Sequence, residues 1–253
     1  MELDVVFRNE KREKLVGVLS YPLGRETCPS VILCHGFAAD KESHFLPALS
    51  EALVKEGIAV LRFDCRACGR SEGDEHPTYR TMVEDVKAAL SFLRGQERIT
   101  SVGLGGHSMG GTSVIMAASQ DGDVGAVVSF GAVADPHRSA KAKREDFVED
   151  GDGYSLKVGS RTFRFSEAWF TDASKVKPLE AVRSLSASLL VVHGTADDRV
   201  PLDDGKDLFL KSKLPKSLKM IDGAGHMFKG FEDQLVRSSV SFFCSWLKME
   251  KEE

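Results

Sequence analysis

The sequence predicts an α/β fold with a mostly parallel sheet, and three observations support this prediction. Short, almost continuous apolar runs alternate along the chain with segments whose apolar residues recur every three or four positions. Such runs are typical of strands that a parallel sheet buries on both faces, and the intervening periodicity is that of amphipathic helices. Finally, 253 residues, 42% of them hydrophobic and 28% charged, suit one soluble α/β domain.

The elements follow in an order that suits this fold. Residues 3–8 and 14–21 alternate in polarity and end at Tyr21-Pro22, which predicts an antiparallel hairpin. Six more strands are predicted at residues 31–34, 59–63, 101–104, 126–130, 189–192 and 217–221. The apolar stripes of three helices are Leu46, Leu49 and Leu53; Met82, Val86, Ala89, Leu90 and Leu93; and Val236, Val240, Phe243 and Leu247. Strand–helix alternation predicts right-handed crossovers with helices on both faces.

Residues 135–178 interrupt the alternation. The stretch begins with charged side chains between Arg138 and Asp146. It ends in an aromatic group made of Phe163, Phe165, Trp169 and Phe170. Long irregular insertions in compact domains are usually functional or disordered, and the aromatic content argues against disorder. We therefore predict a lid or cap, inserted between core segments 1–134 and 179–253; the alternative is a surface excursion with its own small core.

The charge balance and the cysteines exclude several classes of protein. Lys and Arg number 34 and Asp and Glu 38, so the net charge is −4 and neither nucleic acid nor a polybasic membrane contact is expected. No apolar run approaches the roughly 18 residues of a membrane span. The first residues are charged where a signal peptide would be apolar. The five cysteines are an odd number and too widely spaced for a disulfide framework. Together these observations predict a cytoplasmic protein.

A candidate nucleophile lies in Gly106-His107-Ser108-Met109-Gly110, after a predicted buried strand and before a predicted helix at 112–119. This is G-x-S-x-G in the strand–turn–helix context that presents a reactive serine. The glycines let strand and helix approach across a sharp turn, and the helix N-terminus supplies a positive partial charge. We predict that Ser108 is a nucleophile; a tight turn without chemistry is the alternative.

A serine hydroxyl needs a base, and the base needs a carboxylate. Among seven histidines, His226 is favoured because it lies in a glycine-flanked loop between the last predicted strand and the last helix. Asp197 and Asp198 follow the strand at 189–192, and the order Ser, Asp, His agrees with this fold. We favour Asp197 as the acid, with Asp198 and then Asp135 as alternatives.

The oxyanion of a tetrahedral intermediate also needs N–H donors. Phe37 follows the first predicted parallel strand in His35-Gly36-Phe37 and supplies one backbone N–H. Met109, at the start of the helix after Ser108, supplies another. A simple turn at His35-Gly36 is the alternative, but its combination with the other motifs favours an oxyanion loop.

These motifs resemble the α/β-hydrolase superfamily over nearly the whole chain. In order, they are His35-Gly36-Phe37, residues 106–110, Gly194-x-x-Asp197-x-x-Val200-Pro201, and Gly225-His226. Residues 63–73 also resemble a family loop that usually reads F-D-x-R-G-x-G-x-S-x-G, although Ala67 replaces a glycine and Cys68 a histidine. The resemblance implies an α/β-hydrolase fold, with a mostly parallel eight-stranded sheet, helices on both faces and an inserted lid.

Within that superfamily the chain resembles bacterial and archaeal cinnamoyl or feruloyl esterases. The shared features are His-Gly-Phe followed by Ala39-Asp40-Lys41, the length, and an insertion between the sixth and seventh sheet strands. In those enzymes the insertion caps the acyl pocket. The resemblance implies Ser108, Asp197 and His226 as the triad. The oxyanion donors would be the amides of Phe37 and Met109, and the reaction would need no metal or organic cofactor.

Two weaker patterns leave alternatives open. Cys65-Arg66-Ala67-Cys68 is a C-x-x-C, which would suit redox chemistry or zinc, but no second pair follows and we expect two reduced thiols. The aromatic residues of the insertion either stack on an aromatic acid in a pocket or form the insertion's own core.

The sequence therefore predicts a serine carboxylesterase, a monomer or homodimer, that hydrolyses small-molecule esters through an acyl-enzyme. Feruloyl or cinnamoyl, other aryl and short-chain acyl esters are the expected substrates, with terephthalate esters as further candidates. One alternative is a serine exopeptidase or amidase of the same fold, in which Glu145 and Glu149 would bind a substrate ammonium. The other is a non-catalytic ligand binder.

Overall fold

A computed structural model describes residues 1–247 of the chain; residues 248–253, the end of the predicted second core segment, lie outside the described part. The strands are β1 (Glu2–Arg8), β2 (Lys14–Ser20), β3 (Cys28–Cys34), β4 (Ala59–Phe63), β5 (Ile99–His107), β6 (Val124–Phe130), β7 (Val148–Asp150), β8 (Gly153–Val158), β9 (Arg161–Phe165), β10 (Ser188–Gly194) and β11 (Lys216–Ile221). The helices are α1 (Leu46–Lys55), α2 (Tyr79–Arg94), α3 (Met109–Ala118), α4 (Pro136–Lys143), α5 (Glu167–Lys175), α6 (Pro178–Ser184), α7 (Leu202–Lys211) and α8 (Glu232–Leu247).

An eight-stranded sheet forms the centre, in the order β1-β2-β4-β3-β5-β6-β10-β11. The β1–β2 hairpin and the β2–β4 pair are antiparallel, and the other neighbours are parallel. The predicted fold class, hairpin and mostly parallel eight-stranded sheet are therefore confirmed. Every residue of β3 and of β10 is buried, which explains their continuous apolar runs.

Helices cover both faces of the sheet, as predicted. One apolar cluster joins the sheet to α2, α3 and α7, and the other joins it to α1 and α8. In α8, Phe243 and Leu247 are buried as predicted. In the first half of the helix Leu235 and Ser239 are buried instead of Val236 and Val240, which are only partly buried. Among residues 1–247, no helix combines the length and the hydropathy that a membrane crossing requires.

The 135–178 insertion has its own secondary structure. Asp135 caps α4, a short 3₁₀ turn follows at Arg144–Asp146, and β7, β8 and β9 form a small antiparallel sheet before α5. Pro178 begins α6, which leads back to the central sheet. The carboxyl ends of the parallel strands meet at one edge of the sheet, where ligands of open α/β sheets bind.

Candidate functional site

Ser108 occupies the turn between β5 and α3 in a conformation that few residues adopt. Its φ is 55° and its ψ is −121°. A positive φ is uncommon for a residue with a side chain and is often found at functional sites. The Ser108 N–H donates to the carbonyl oxygen of Phe130 in the neighbouring strand, at 2.8 Å, and this bond holds the turn against the sheet.

Two glycines of the motif are required by close backbone approach. A Cβ atom on Gly106 would overlap the carbonyl of Gly110, and a Cβ on Gly110 would overlap the carbonyl of His35. The turn therefore packs directly against the loop that follows β3. This approach brings Ser108 to the predicted oxyanion loop.

The structure brings Ser108, His226 and Asp197 together in one hydrogen-bonded chain. His226 Nε2 lies 3.0 Å from Ser108 Oγ, and His226 Nδ1 lies 2.8 Å from Asp197 Oδ2. Because an ionised carboxylate only accepts, Nδ1 carries the proton and Nε2 is left to accept from the serine hydroxyl. The arrangement has the geometry of a nucleophile, a base and an orienting acid.

The environment of Asp197 keeps its carboxylate charged and fixed. Burial would raise the pKa of Asp197, but hydrogen bonds from His193 and His226 outweigh burial and hold the pKa well below its usual range. The other carboxylate oxygen accepts the backbone N–H groups of Arg199 and Val200, at 2.9 and 2.8 Å. Asp197 can therefore stabilise a positive charge on His226 at neutral pH.

The two alternative acids lie elsewhere. Asp198 is exposed and lines the outer part of the cavity beside the site. Asp135 accepts the backbone N–H of Arg138 and caps α4. Of the three carboxylates that the sequence offered, only Asp197 is hydrogen-bonded to His226 within the described residues.

Gly36, Phe37 and Met109 lie beside Ser108 along the wall of the same cavity. Met109 is the first residue of α3, and the first N–H groups of a helix have no partner within the helix. The helix terminus adds positive potential at this point. The Phe37 ring packs against His76 and against Phe165 of the insertion, with ring centroids 4.8 and 5.5 Å away.

The cavity above Ser108 is small and has an apolar side. Tyr79, Met109, Val133 and Trp169 line this side. The cavity continues into a wider outer region, because both parts share His44 and Arg199 among their lining residues. Charged side chains of the outer region are Arg138, Asp146, Lys157, Asp198, Arg199 and Asp204. The small region at Ser108 therefore opens into a wider region that carries charged side chains.

The four predicted aromatic residues of the insertion take different positions. Trp169 lines the cavity, is 3% exposed, and its indole Nε1 has no hydrogen-bond partner among residues 1–247. Phe163 and Phe165 pack against His76, and Phe170 packs against Phe147. These three phenylalanines line neither part of the cavity.

Several residues that line the cavity were not predicted as site residues. Arg199 and Val200 lie within the Asp197 motif, so its spacing could have indicated them. Tyr79 begins α2 and Val133 follows β6, and neither belongs to a recognisable motif. Their place in the cavity depends on tertiary packing.

The cysteines near the site are buried free thiols. Cys65 Sγ lies 3.8 Å from Cys34 Sγ, and Cys68 is also buried. Burial raises the pKa of the Cys65 and Cys68 thiols. The described part of the chain contains no group of three or more His, Cys, Asp or Glu side chains placed to hold a metal ion.

Solved structures of esterases have the same architecture. The structure of Est1E from Butyrivibrio proteoclasticus with ferulic acid bound gives a TM-score of 0.85 at 23% identity, covering 96% of this chain and 98% of that one. The esterase domain of a Rhodothermus marinus protein gives a TM-score of 0.78 at 26% identity, covering 97% of this chain and 99% of that one. These likenesses extend over the central sheet and the insertion together.

Curated relatives match a shorter part of the chain. An uncharacterised 31.7 kDa protein from the traX-finO intergenic region of Escherichia coli is 37% identical over 117 residues, 45% of this chain and 41% of the relative. The thiohydrolase AneE of Aspergillus aculeatus is 38% identical over 111 residues, which are 42% of this chain and 35% of the relative. The match thus spans less than half the length of these relatives.

A sequence model described as the alpha/beta hydrolase family matches residues 31–233. The matched range runs from β3 into the first turn of α8, and it includes Ser108, Asp197 and His226. This range is most of the chain. The protein belongs to the alpha/beta hydrolase family.

Proposed function

We propose that this protein is a serine carboxylesterase that hydrolyses small-molecule esters through an acyl-enzyme. The observation that carries the proposal is the pair of hydrogen bonds from Ser108 Oγ to His226 Nε2, 3.0 Å, and from His226 Nδ1 to Asp197 Oδ2, 2.8 Å. The family includes esterases of the same architecture, which agrees with this chemistry.

In the first half-reaction Ser108 Oγ attacks the ester carbonyl carbon while His226 Nε2 takes the hydroxyl proton. The carbonyl electron pair moves onto oxygen, where the amides of Phe37 and Met109 donate hydrogen bonds; loss of one such donor typically costs about 10²- to 10³-fold in rate. When the oxyanion collapses, the bond to the alcohol oxygen breaks and His226 returns its proton to that oxygen. Asp197 stabilises the imidazolium in between.

In the second half-reaction a water molecule attacks the acyl carbon of the ester on Ser108. His226 Nε2 takes the water proton, the second oxyanion collapses, and the bond from Ser108 Oγ to the acyl carbon breaks. His226 then gives its proton to Ser108 Oγ, which restores the free serine and releases the carboxylic acid. The cycle consumes one water and uses only side chains and amides of this chain.

The substrates we propose are aryl esters, including feruloyl and cinnamoyl esters, together with short-chain acyl esters. We assign a flat acyl group to the apolar side of the cavity, which Tyr79, Val133 and Trp169 line. Trp169 Nε1 is buried without a hydrogen-bond partner in the described residues, and we propose that an oxygen of such a group supplies one. The insertion that carries Trp169 acts as the lid of the acyl pocket, and the wider outer region with its charged side chains takes the alcohol.

Hydrolysis of a matched ester panel tests the reaction. The panel contains p-nitrophenyl acetate, butyrate and octanoate, methyl ferulate and an aminoacyl anilide, and also an acyl thioester because a thiohydrolase is among the relatives. Ser108→Ala should lower turnover at least about 10⁴-fold, whereas Ser119→Ala, at the other end of α3, should not. Full activity of a folded Ser108→Ala protein would contradict the mechanism, and so would failure of Ser108 to react with a fluorophosphonate probe.

The substrate class has its own test in Trp169→Phe. This variant keeps an aromatic ring but loses the Nε1–H donor, so KM for methyl ferulate should rise several-fold while p-nitrophenyl acetate is hydrolysed almost as before. Equal changes for both substrates would argue against a role for Trp169 in selecting the acyl group. Turnover of the anilide alone would favour a peptidase, although Glu145 and Glu149 line neither part of the cavity.

A further inference from the structure

We propose that His76 is a positioning residue for the oxyanion loop, residues 35–38, and that the 135–178 insertion acts through it on the rate of the chemical step. His76 lies outside the Ser108–His226–Asp197 chain and outside the cavity lining. The inference rests on the proposed function, because it concerns how well the Phe37 amide is placed for the oxyanion.

The His76 ring holds the loop through one defined tautomer. Its Nδ1 lies 3.0 Å from the carbonyl oxygen of Pro77, which can only accept, so Nδ1 carries the proton. Nε2 is therefore the acceptor for the backbone N–H of Ala38, at 3.0 Å. Burial lowers the pKa of His76 to about 3, so the ring is neutral and remains an acceptor near neutral pH.

Ala38 is a residue whose conformation needs such support. Its φ is 52°, in the left-handed region that is unfavourable for residues with a side chain. Ala38 directly follows Phe37, so a fixed Ala38 N–H fixes the peptide plane on the carbonyl side of Phe37. The Phe37 N–H lies in the preceding peptide plane, which joins this one at the Phe37 Cα. The Phe37 ring is itself packed against His76 and Phe165, and the two restraints together limit the motion of the Phe37 amide, which suits a donor that must be in place before the reaction begins.

The same histidine is attached to the insertion. The backbone N–H of His76 donates to the carbonyl oxygen of Arg164 in β9, at 2.7 Å. The ring stacks on Phe165, with centroids 4.8 Å apart, and the Phe37 ring also lies 4.8 Å from the His76 ring. The oxyanion loop, His76 and β9 therefore form one packed unit, so a shift of the insertion changes the position of the loop.

Two substitutions separate the acceptor role of His76 from its packing. His76→Phe keeps a ring for the stack but removes the acceptor, whereas His76→Gln loses the ring and retains a side-chain oxygen that can reach the Ala38 N–H. For an acceptor role, kcat of His76→Phe should fall about 10- to 100-fold with KM changed less than about twofold, and His76→Gln should recover most of it. The reverse order, with Phe better than Gln, would mean that packing alone matters and would overturn the proposal.

A tetrahedral inhibitor supplies a second measurement. A phenylboronic acid forms a tetrahedral adduct on an active-site serine, so its inhibition constant should rise in parallel with the fall in kcat/KM across the His76 variants. An unchanged inhibition constant would show that the oxyanion loop is not affected. If Ser108→Ala keeps its activity, the proposed function fails and this inference with it; if Ser108→Ala is inactive but both His76 variants keep wild-type kcat, only this inference fails.

Phe165→Leu tests the link from the side of the insertion, and it serves equally if His76→Phe does not fold. Loss of the stack on His76 should lower kcat several-fold with KM nearly constant. The control is Phe92→Leu, an aromatic-to-leucine change at a partly buried ring stacked on Phe7, away from the insertion. Equal kcat values for the two variants would contradict the coupling.

Discussion

His107 Nε2 lies 3.0 Å from the carbonyl oxygen of His226, and the two imidazole rings are 4.8 Å apart. Because a carbonyl oxygen only accepts, Nε2 carries the proton and donates it. His107 Nδ1 is then a bare acceptor, buried and without a hydrogen-bond partner in the described residues. The residue before Ser108 thus holds the loop that carries His226, and burial favours the neutral form of its ring.

We expect this arrangement to make the protein less stable in acid. Burial lowers the pKa of His107 to about 3, against about 6.5 in an unfolded chain. The stability that depends on a neutral His107 is therefore fully present above pH 6.5. Below that pH only the unfolded chain binds the proton, so the free energy of unfolding falls by about 1.4 kcal/mol per pH unit. In His107→Gln the free energy of unfolding should fall less steeply between pH 7 and pH 5, and the difference in slope should correspond to about one proton. Urea unfolding at several pH values measures this slope. Identical slopes for variant and wild type would contradict a buried neutral His107.

The choice between two adjacent acids gives a second prediction. Asp197→Asn leaves the shape of the site but removes the charge that orients His226, so kcat should fall about 10³- to 10⁴-fold. Asp198→Asn should cause a far smaller loss, because Asp198 is exposed and does not contact His226 in the described structure. Steady-state kinetics with p-nitrophenyl acetate measures both. A larger loss in Asp198→Asn would exchange the roles of the two residues.

The central sheet and the Ser108 turn could be predicted because each is encoded locally. A strand buried on both faces needs an apolar run such as β3, and the close approach at Gly106 and Gly110 tolerates no side chain. Local signals also have limits. In α8, Val236 and Val240 pack only at the edge of the core, because the helix face that contains Phe243 and Leu247 continues through Leu235 and Ser239.

The role of His76 could not be predicted, because it arises between segments far apart in the chain. Its partners are the backbone N–H of Ala38 and the carbonyl of Arg164, and backbone groups leave no mark in the sequence. The division of the aromatic residues has the same cause: Trp169 and Phe170 are neighbours on α5, yet only Trp169 lines the cavity. Tertiary packing, which the sequence pattern does not determine, decides both.

Gly110→Ala should damage both stability and activity. The new Cβ would overlap the backbone carbonyl of His35, which cannot move without disturbing the oxyanion loop. We expect a loss of about 1–3 kcal/mol in unfolding free energy and a large fall in kcat. The matched control is Gly122→Ala, where no atom lies within 4 Å of the added methyl group. Similar thermal unfolding curves for the two variants would contradict the close approach.

The five cysteines should divide into one accessible thiol and four protected ones. Cys28, Cys34, Cys65 and Cys68 are buried, whereas Cys244 is only partly buried on α8. Because the thiolate is the reactive form, burial that raises the pKa of Cys28, Cys65 and Cys68 slows them further. An aromatic disulfide reagent should therefore modify about one thiol per native chain and all five in denaturant. Cys244→Ser should remove the native reaction, and Cys68→Ser should leave it intact. Rapid modification of Cys34, Cys65 or Cys68 in the native protein would contradict their burial.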